Sequence, residues 1–553
     1  MGPKRSISIA RSRRLEWPIV AAVGVCFILS LKAAPCIGAE SPVRGGTLVL
    51  GSRMDVQTLN PLMFASVEER QADYNIFDSL WFIGVGGELI PNLAREIPAR
   101  ENGGISEDGL TYTFRLRKNA KWHDDAPFTA KDVKFTWETI MNPSFRAQNR
   151  TGHDRVAAME IIDNYTLRVK LKERYGPFVN SWIETFIIPE HVLSSVKDLN
   201  TCEFNSKPVG TGPFKFQEWV RGDHLTFTAN PSYHKGRPYI DRLIIKIIPD
   251  TTAFYLQFKA GDMDVVGLDG IPPSFYDESK KLENVKLYPC GTKLLEVIFL
   301  NQSKPLFKDK RVRQALYQSI DKRPIIEQVL YGIGKEAETY IPPFSWYRKP
   351  GLKGHQYNVE NAKKLLDQAG WKPGKEGIRE KDGMKFEFDF ATTAGTKTRE
   401  EYQQIIQQQW QQIGVKANIK NLASPMLWGE YYQKSQFDAI LGSFNVPVDP
   451  EISLRFHSQS IPIETGKGAN YMCFKNAEFD SLLEAGARET DPNKRKEIYW
   501  KIQELFVDEL PTLPLYFRYF VFATKAKVQN FNPNGNADGV TTWNSREWWM
   551  KGK

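Results

Sequence analysis

The chain is poor in the residues that carry most metal, redox and nucleophilic chemistry. Its 553 residues include five cysteines and seven histidines. Without residues 1–39, read below as an export signal, the cysteines are Cys202, Cys290 and Cys473. A sparse, odd set is not a disulfide framework, although one bridge between distant positions stays open in an oxidising compartment. No CxxC or HExxH spacing occurs, and no GxSxG or paired-carboxylate pattern stands out. No catalytic residue, metal ligand set or cofactor is therefore expected. Long apolar runs are missing too. Residues 19–31 are the longest, short of the roughly 20 that span a bilayer. An excess of basic charge is also only apparent. Residues 1–39 hold Lys4, Arg5, Arg11, Arg13, Arg14 and Lys32 against Glu16, so their removal takes the net charge from +9 to about +4. With no basic stripe left, a nucleic-acid partner is not expected.

What is present begins with that leader. A basic stretch, the apolar run and Ile37-Gly38-Ala39 compose a cleavable export signal with a mature start at Glu40. An uncleaved anchor and a lipoprotein at Cys36, the latter disfavoured by Pro35, are the alternatives. Beyond it the composition is that of a globular protein, 41% hydrophobic and 25% charged. Aromatics at 12% suit large cores or an aromatic-lined pocket.

Strand and helix patterns alternate to the end of the chain, giving an α/β class. Leu110, Tyr112, Phe114 and Leu116 alternate with polar residues, a half-buried strand ended by Asp124, Asp125 and Pro127. Thr129 then caps a helix whose Val133, Trp137 and Ile140 share one face. Trp122-His123-Asp124-Asp125 reads as structure, with Trp122 in a core and the aspartates closing a turn. Asn358 caps a second helix, stopped by Gly370. A third, marked by Tyr402, Ile405, Ile406 and Ile413, ends at Gly414 and leads into a strand at Val415, Ala417 and Ile419. Asp491-Pro492 opens a fourth. Gly210-Thr211-Gly212-Pro213 is read as a turn whose glycines permit positive φ; it lacks the lysine of a phosphate loop.

Residues 109–137 resemble the hallmark motif of the family 5 extracellular solute-binding proteins, the peptide- and nickel-type receptors of ABC importers. Further matches follow in order: Gly45-Gly46-Thr47-Leu48, Pro91-Asn92-Leu93-Ala94, Gly210–Pro213, Asn230-Pro231-Ser232-Tyr233, residues 259–264, Phe299-Leu300-Asn301 with residues 309–316, and Pro511–Leu515. The resemblance implies a periplasmic-binding-protein-like, two-lobed clam-shell of type II with an extra domain inserted in lobe I. Lobe I would comprise residues 40–82, 185–298 and 513–553, the additional domain 83–184, and lobe II 299–512. The crossings at 299–301 and 511–515 would form the hinge.

The same resemblance places the ligand between the lobes. On lobe I it points to residues 75–81, with Asp78 and Trp81, as backbone that pairs with an extended ligand. On lobe II it points to residues 437–450, with Phe444, Asn445 and Asp449. In peptide-binding relatives an aspartate shortly before the acidic-Pro pair receives the ligand's α-amino group; here Asn445, Val446 or Pro447 stands there. Free di- and tripeptides are thus expected to bind weakly, with little penalty for blocking the amino group. Trp346, Trp428, Tyr431 and Trp543 could stack on a ligand or fill a core equally well. Arg53, Arg455 and His457 are further rim candidates. The expected protein is a monomeric periplasmic receptor that carries a peptide or similarly sized polar solute to an inner-membrane ABC permease complex. A metal-chelate or sugar receptor of the same fold, and a secreted hydrolase, are the alternatives.

Overall fold

The structure, a computed structural model, describes residues 41–552 apart from Ala65, Asp269 and Gly539. The export signal, its cleavage site, Cys26 and Cys36 lie outside the described residues.

Two long strands, Val285–Leu300 and Leu513–Lys525, run antiparallel through the middle of one large mixed sheet. On one side follow Ala439–Asn445, Glu387–Thr393 and Lys416–Leu422; on the other, Val265–Val266, Thr47–Ser52, Arg242–Ile247, His224–Ala229 and Phe214–Val220. The central pair thus joins the two halves of the sheet. Its pairing is irregular between Gly291 and Leu295, and such a bulge bends and twists a strand. Period 2 explains how one strand serves two cores: Leu295, Val297 and Phe299 enter one cluster, Ile298 and Leu300 another.

Local signals account for the flanking elements. Helix Lys397–Gln411 joins two parallel neighbours, Glu387–Thr393 and Lys416–Leu422, with Gly414 at φ 79°, as a crossover requires. Asn358 caps Val359–Gln368, and the Asp491 carboxylate accepts from the amides of Asn493 and Lys494 to start Pro492–Glu509. The hallmark stretch folds as Thr111–Arg115 in a separate three-stranded sheet, then helix Ala130–Met141 with a Thr129–Asp132 capping box. Trp122 is core and Asp125 turns at φ 71°. Cys202, Cys290 and Cys473 are all free thiols.

One expectation is corrected. Neither Gly210 nor Gly212 has positive φ. A Cβ on Gly210 would meet the carbonyl oxygen of Ile76 at 1.8 Å, and one on Gly212 the Ile76 carbonyl carbon at 2.5 Å. The glycines are there for close backbone approach. His123 clamps this turn: its Nδ1 accepts from Gly210 N at 3.2 Å and its Nε2 faces Gly212 O at 3.1 Å. Burial pushes its pKa down to about 4, so the ring stays neutral.

Candidate functional site

Two cavities adjoin the loop that holds Val448. The first, of about 290 Å³, is walled by Arg70 and Asp538, by residues 175–185, by Lys293 of the central strand and by the loop 445–451. The second, of about 330 Å³, takes Trp346, Tyr347, Thr490 and Pro492 from one side and Leu89, Ile97 and Arg100 from the other. Both sit near the lower end of the roughly 300–1,000 Å³ usual for ligand pockets. Asn180 and Val448 line both. At this junction Asn180 Nδ2 donates to Asp449 Oδ2 at 2.5 Å, while Arg495 grips both Asp449 oxygens at 2.7 and 2.6 Å. Arg100 Nη2 makes a further bridge to Thr490 Oγ1 at 3.1 Å.

Helix Val67–Ile76 contributes Arg70 to the wall of the first cavity. Its sequence, VEERQADYNI, is polar, yet every residue from Glu68 to Ile76 is buried. Hydrogen bonds explain part of this. Gln71 Nε2 donates to Thr541 Oγ1, Thr542 Oγ1 to Gln71 O, and Ser545 Oγ to Asn75 Oδ1. The helix also supplies charge. Arg70 Nη1 donates to Pro61 O at 3.1 Å and Asp73 Oδ2 at 3.2 Å, with the guanidinium 3.4 Å from the centre of the Phe64 ring. Tyr74 donates its hydroxyl proton to Glu184 Oε1 at 2.8 Å, and the amide of Asp538 donates to the same oxygen at 2.7 Å. Lys293 Nζ donates to Asp538 Oδ1 at 2.7 Å.

Burial pushes the Asp73 carboxyl up to about 7, against the pull of Arg70. Burial and the neighbouring Asp538 raise Glu184 well above the carboxylate range. Burial works the same way on Asp538, but Lys293 outweighs it and holds that carboxyl low. On the facing loop, Glu451 is raised by burial while Ser453 N donates to its Oε1 at 2.6 Å. Asp73, Glu184 and Glu451 are thus all raised, by burial first of all.

Of the residues singled out in the sequence, Asn445, Val446, Pro447 and Asp449 line the first cavity and Trp346 the second. The others are placed elsewhere. Asp78 has no exposed surface. It accepts from Asn92 Nδ2 at 2.8 Å, from the Tyr233 hydroxyl at 3.0 Å and from His234 Nε2 at 3.2 Å. Trp81 is equally enclosed, edge-on to Phe114, its Nε1 donating to Val179 O. Nor is the backbone here open to a ligand strand: the carbonyls of Asp78, Ser79 and Leu80 already accept from Ile187, Leu93 and Asn92. Trp428 packs against Phe299 and Tyr432 beneath Gly442, and Lys420 sits over the Tyr431 ring. Phe444 is buried between Phe299, Phe456 and Arg455. Trp543 borders a separate small cavity beside Arg546 and donates to Asn532 O. Sequence reasoning missed Arg70, Asp73, Glu184 and Asp538. For the first two, Ser66 and Glu69 were a readable signal: their capping-box spacing opens the helix, and Glu69 Oε2 accepts from Ser66 N at 3.0 Å. Glu184 and Asp538 sit in no periodic pattern.

Residues 88–458 match the family described as bacterial extracellular solute-binding proteins, family 5 Middle. The chain is 31% identical over 549 residues to the oligopeptide-binding protein AppA of Bacillus subtilis, covering 96% of this chain and 98% of that protein. The structure of that AppA in complex with a nonapeptide superposes with a TM-score of 0.73 over 93% of this chain and 100% of AppA. NikZ from Campylobacter jejuni, in complex with Ni(L-His), matches with a TM-score of 0.74 at 26% identity over 91% of this chain and 99% of NikZ. Heme-binding protein A of Haemophilus influenzae is 29% identical over 442 residues, 75% of this chain and 77% of that protein. Among the described residues no helix is long and apolar enough to cross a membrane, and no group of three or more His, Cys, Asp or Glu side chains could hold a metal ion.

Proposed function

The chain belongs to the bacterial extracellular solute-binding proteins of family 5, and from that premise we propose that it captures a peptide or similarly sized polar solute in the periplasm and hands it to an inner-membrane ABC permease. The observation that carries the reading is that stretches far apart in sequence, at 61–70, 175–185 and 445–451, wall one cavity together with Lys293 of the long central strand, which supports a site between two lobes. A solute held there touches both walls only when the lobes are together, so it shifts an open–closed equilibrium by its differential contacts. Capture needs no bond made or broken and no cofactor. The relative crystallised with a nonapeptide supports a peptide over the other solutes the family accepts.

Export by the cleavable leader, a monomeric state and the lobe boundaries at 83, 185, 299 and 513 belong to the same proposal. The irregular pairing between Gly291 and Leu295 supports a hinge a few residues before 299–301. Solution scattering with and without a peptide pool tests the reading, alongside native mass spectrometry of the purified protein. Compaction and a retained small molecule are expected. No compaction with any solute pool, and no retained ligand, would overturn it.

A further inference from the structure

A third cavity, of about 340 Å³, falls within the range usual for ligand pockets and shares no residue with the other two. It lies across the central sheet from the first. Successive residues of a strand point to opposite faces; Tyr516 packs into the cluster that holds Tyr402, and Phe517 into the one that holds Val446. Tyr402 and Tyr516 line the third cavity, Val446 the first. Residues 270–273 close the third cavity from one side, Leu330, Ile333 and the start of helix Lys397–Gln411 from the other.

Its polar wall is a pair of arginines that share one carboxylate. Arg399 and Arg518 both line it. Arg518 Nε donates to Glu296 Oε1 at 2.7 Å, and Arg399 Nη2 donates to the same oxygen at 3.0 Å. Arg399 Nε and the Tyr402 hydroxyl donate to Glu296 Oε2 at 3.2 and 2.7 Å. Burial works against the charge of Glu296, yet Arg518 and Arg399 hold its carboxyl below the usual value. One negative charge thus serves two guanidiniums, and no acid lines the cavity among the described residues. The Arg399 side chain is 9% exposed, and excess charge of one sign is costly at such a depth unless a counter-charge arrives. Hydrogen bonding leaves the same two groups short. The bonds of Arg399 leave from Nε and Nη2 and that of Arg518 from Nε, so neither Nη1 has a partner among the described residues. Thr396 and Thr398 line the cavity at the first turn of the 15-residue helix, which has no side-chain cap. Its leading amides and the positive end of its dipole therefore favour an anion there.

We propose that the third cavity is a second ligand site, behind the central strands, for a monocarboxylate with an aliphatic tail. The carboxylate sits against Arg399 and Arg518 and takes their free N–H donors. The tail lies along Ile271, Pro272, Leu330, Ile333, Phe520 and Val521, which make up the apolar part of the wall. Guanidiniums match the two oxygens of a carboxylate, and charge-assisted bonds in an enclosed site are the strong ones. A small, fully hydrated anion such as inorganic phosphate gains nothing from the apolar wall, and an uncharged alkane or alcohol gains nothing from the arginines. The two walls together select an amphiphilic acid. The site is distinct from the solute cleft on the other face of the sheet and does not depend on capture of a solute there.

The test uses residues 40–553 and two probes of equal length, octanoate and octanol, with binding read by calorimetry. Octanoate should bind one to one, at least about tenfold more tightly than octanol. Arg518→Gln leaves Glu296 its bonds from Arg399 and Tyr402 and should lose the preference for the acid. Where Arg518→Gln fails to fold, Thr398→Glu decides: position 398 is exposed, and a carboxylate tethered at the helix start should block octanoate without loss of melting temperature. No octanoate bound, octanol bound as tightly, or a preference undiminished in the folded variant each overturns the site. A saturating tetrapeptide pool should leave octanoate bound. Displacement of octanoate by the pool assigns the acid to the solute cleft and overturns a second site, whereas a pool that does not bind while octanoate does overturns capture and leaves this site standing.

Discussion

Asp78 is a fully enclosed carboxylate and Glu184 a half-buried one that lines the first cavity, and the fold treats them in opposite ways. Three donors, from Asn92, Tyr233 and His234, converge on Asp78. Burial alone would raise its pKa, yet the attraction of His234 and those bonds hold it below the usual value. Glu184 has a tyrosine hydroxyl and an amide, and the strongest charge acting on it is another acid, Asp538, ahead of Lys293 and Arg70. Its pKa goes the other way. Burial by itself therefore separates nothing; what separates the two is whether the fold supplies the counter-charge. A carboxylate the fold satisfies stabilises the fold. One the fold leaves short is available to a ligand.

The largest effect expected from this comparison is at Asp78. Asp78→Ala leaves the Tyr233 hydroxyl, the Asn92 amide and the His234 ring without their shared acceptor. Breaking a buried, hydrogen-bonded charge costs about 3–5 kcal/mol, and chemical denaturation should show that loss. Peptide retention by the folded fraction should be unchanged. A variant as stable as the wild type, or one that loses ligand while staying stable, would break the contrast.

Glu184→Gln should act in the opposite sense, and its pH dependence shows why. Glu184 and Asp73 have raised pKa values, Asp73 to about 7. Their contribution is fully present below the unfolded carboxylate values near 4 and is lost as the pH rises through 7. His123 and His153, depressed to about 4, contribute stability above the unfolded value of about 6.5 that is lost as the pH falls through 4. Between pH 7 and 4 the two pairs oppose each other, and the unliganded wild type should change little. Glu184→Gln removes one of the two opposing gains. Relative to wild type the variant should be more stable at pH 8, by on the order of 2 kcal/mol, and equal near pH 4. Denaturant titrations across that range check it; a variant less stable than wild type at pH 8 would show that Glu184 is satisfied after all.

The same contrast explains what was legible in the sequence. The shared central strands, the crossover at Gly414 and the Thr129 and Asp491 caps are written in local pattern, because period and capping are properties of neighbours along the chain. The hallmark stretch identifies the family for the same reason. Asp78 and Trp81 are pointed to by the resemblance at residues 75–81, and position in a family pattern says nothing about whether a side chain faces a core or a cleft. Arg70, Glu184, Lys293 and Asp538 come from four separate stretches, and only the closed fold adds up their charges. The glycines at 210 and 212 follow the same rule. Local turn chemistry predicts a positive φ for them, whereas the constraint is the Ile76 carbonyl, far away in sequence. Helix Val67–Ile76 hid because it lacks an apolar stripe. Its polarity is what allows it to border a charged cavity, tied to Thr541, Thr542 and Ser545.

The smallest effect on stability is expected at a tryptophan, where the contrast can be sharpened without touching a charge. Trp81 and Trp346 were singled out together. Trp81 is wholly enclosed, and replacing it with alanine should cost about 3–5 kcal/mol. Trp346 is 36% exposed, stands edge-on to Tyr347 with Lys496 Nζ 4.2 Å from its ring centre, and lines the second cavity. Trp346→Ala should cost less than about 1 kcal/mol, since little packing is lost at a surface ring. Its effect belongs in binding. The second cavity is lined by apolar side chains beyond the Asn180–Asp449 bridge, and a bound chain that reaches it would bury an apolar side chain there. Retention of tetrapeptides rich in leucine or phenylalanine should fall several-fold in Trp346→Ala, while glycine in their place should make the variant and the wild type alike. Equal losses for both peptide sets would make Trp346 a general wall of the cleft, and no loss for either would return it to the fold, beside Trp81.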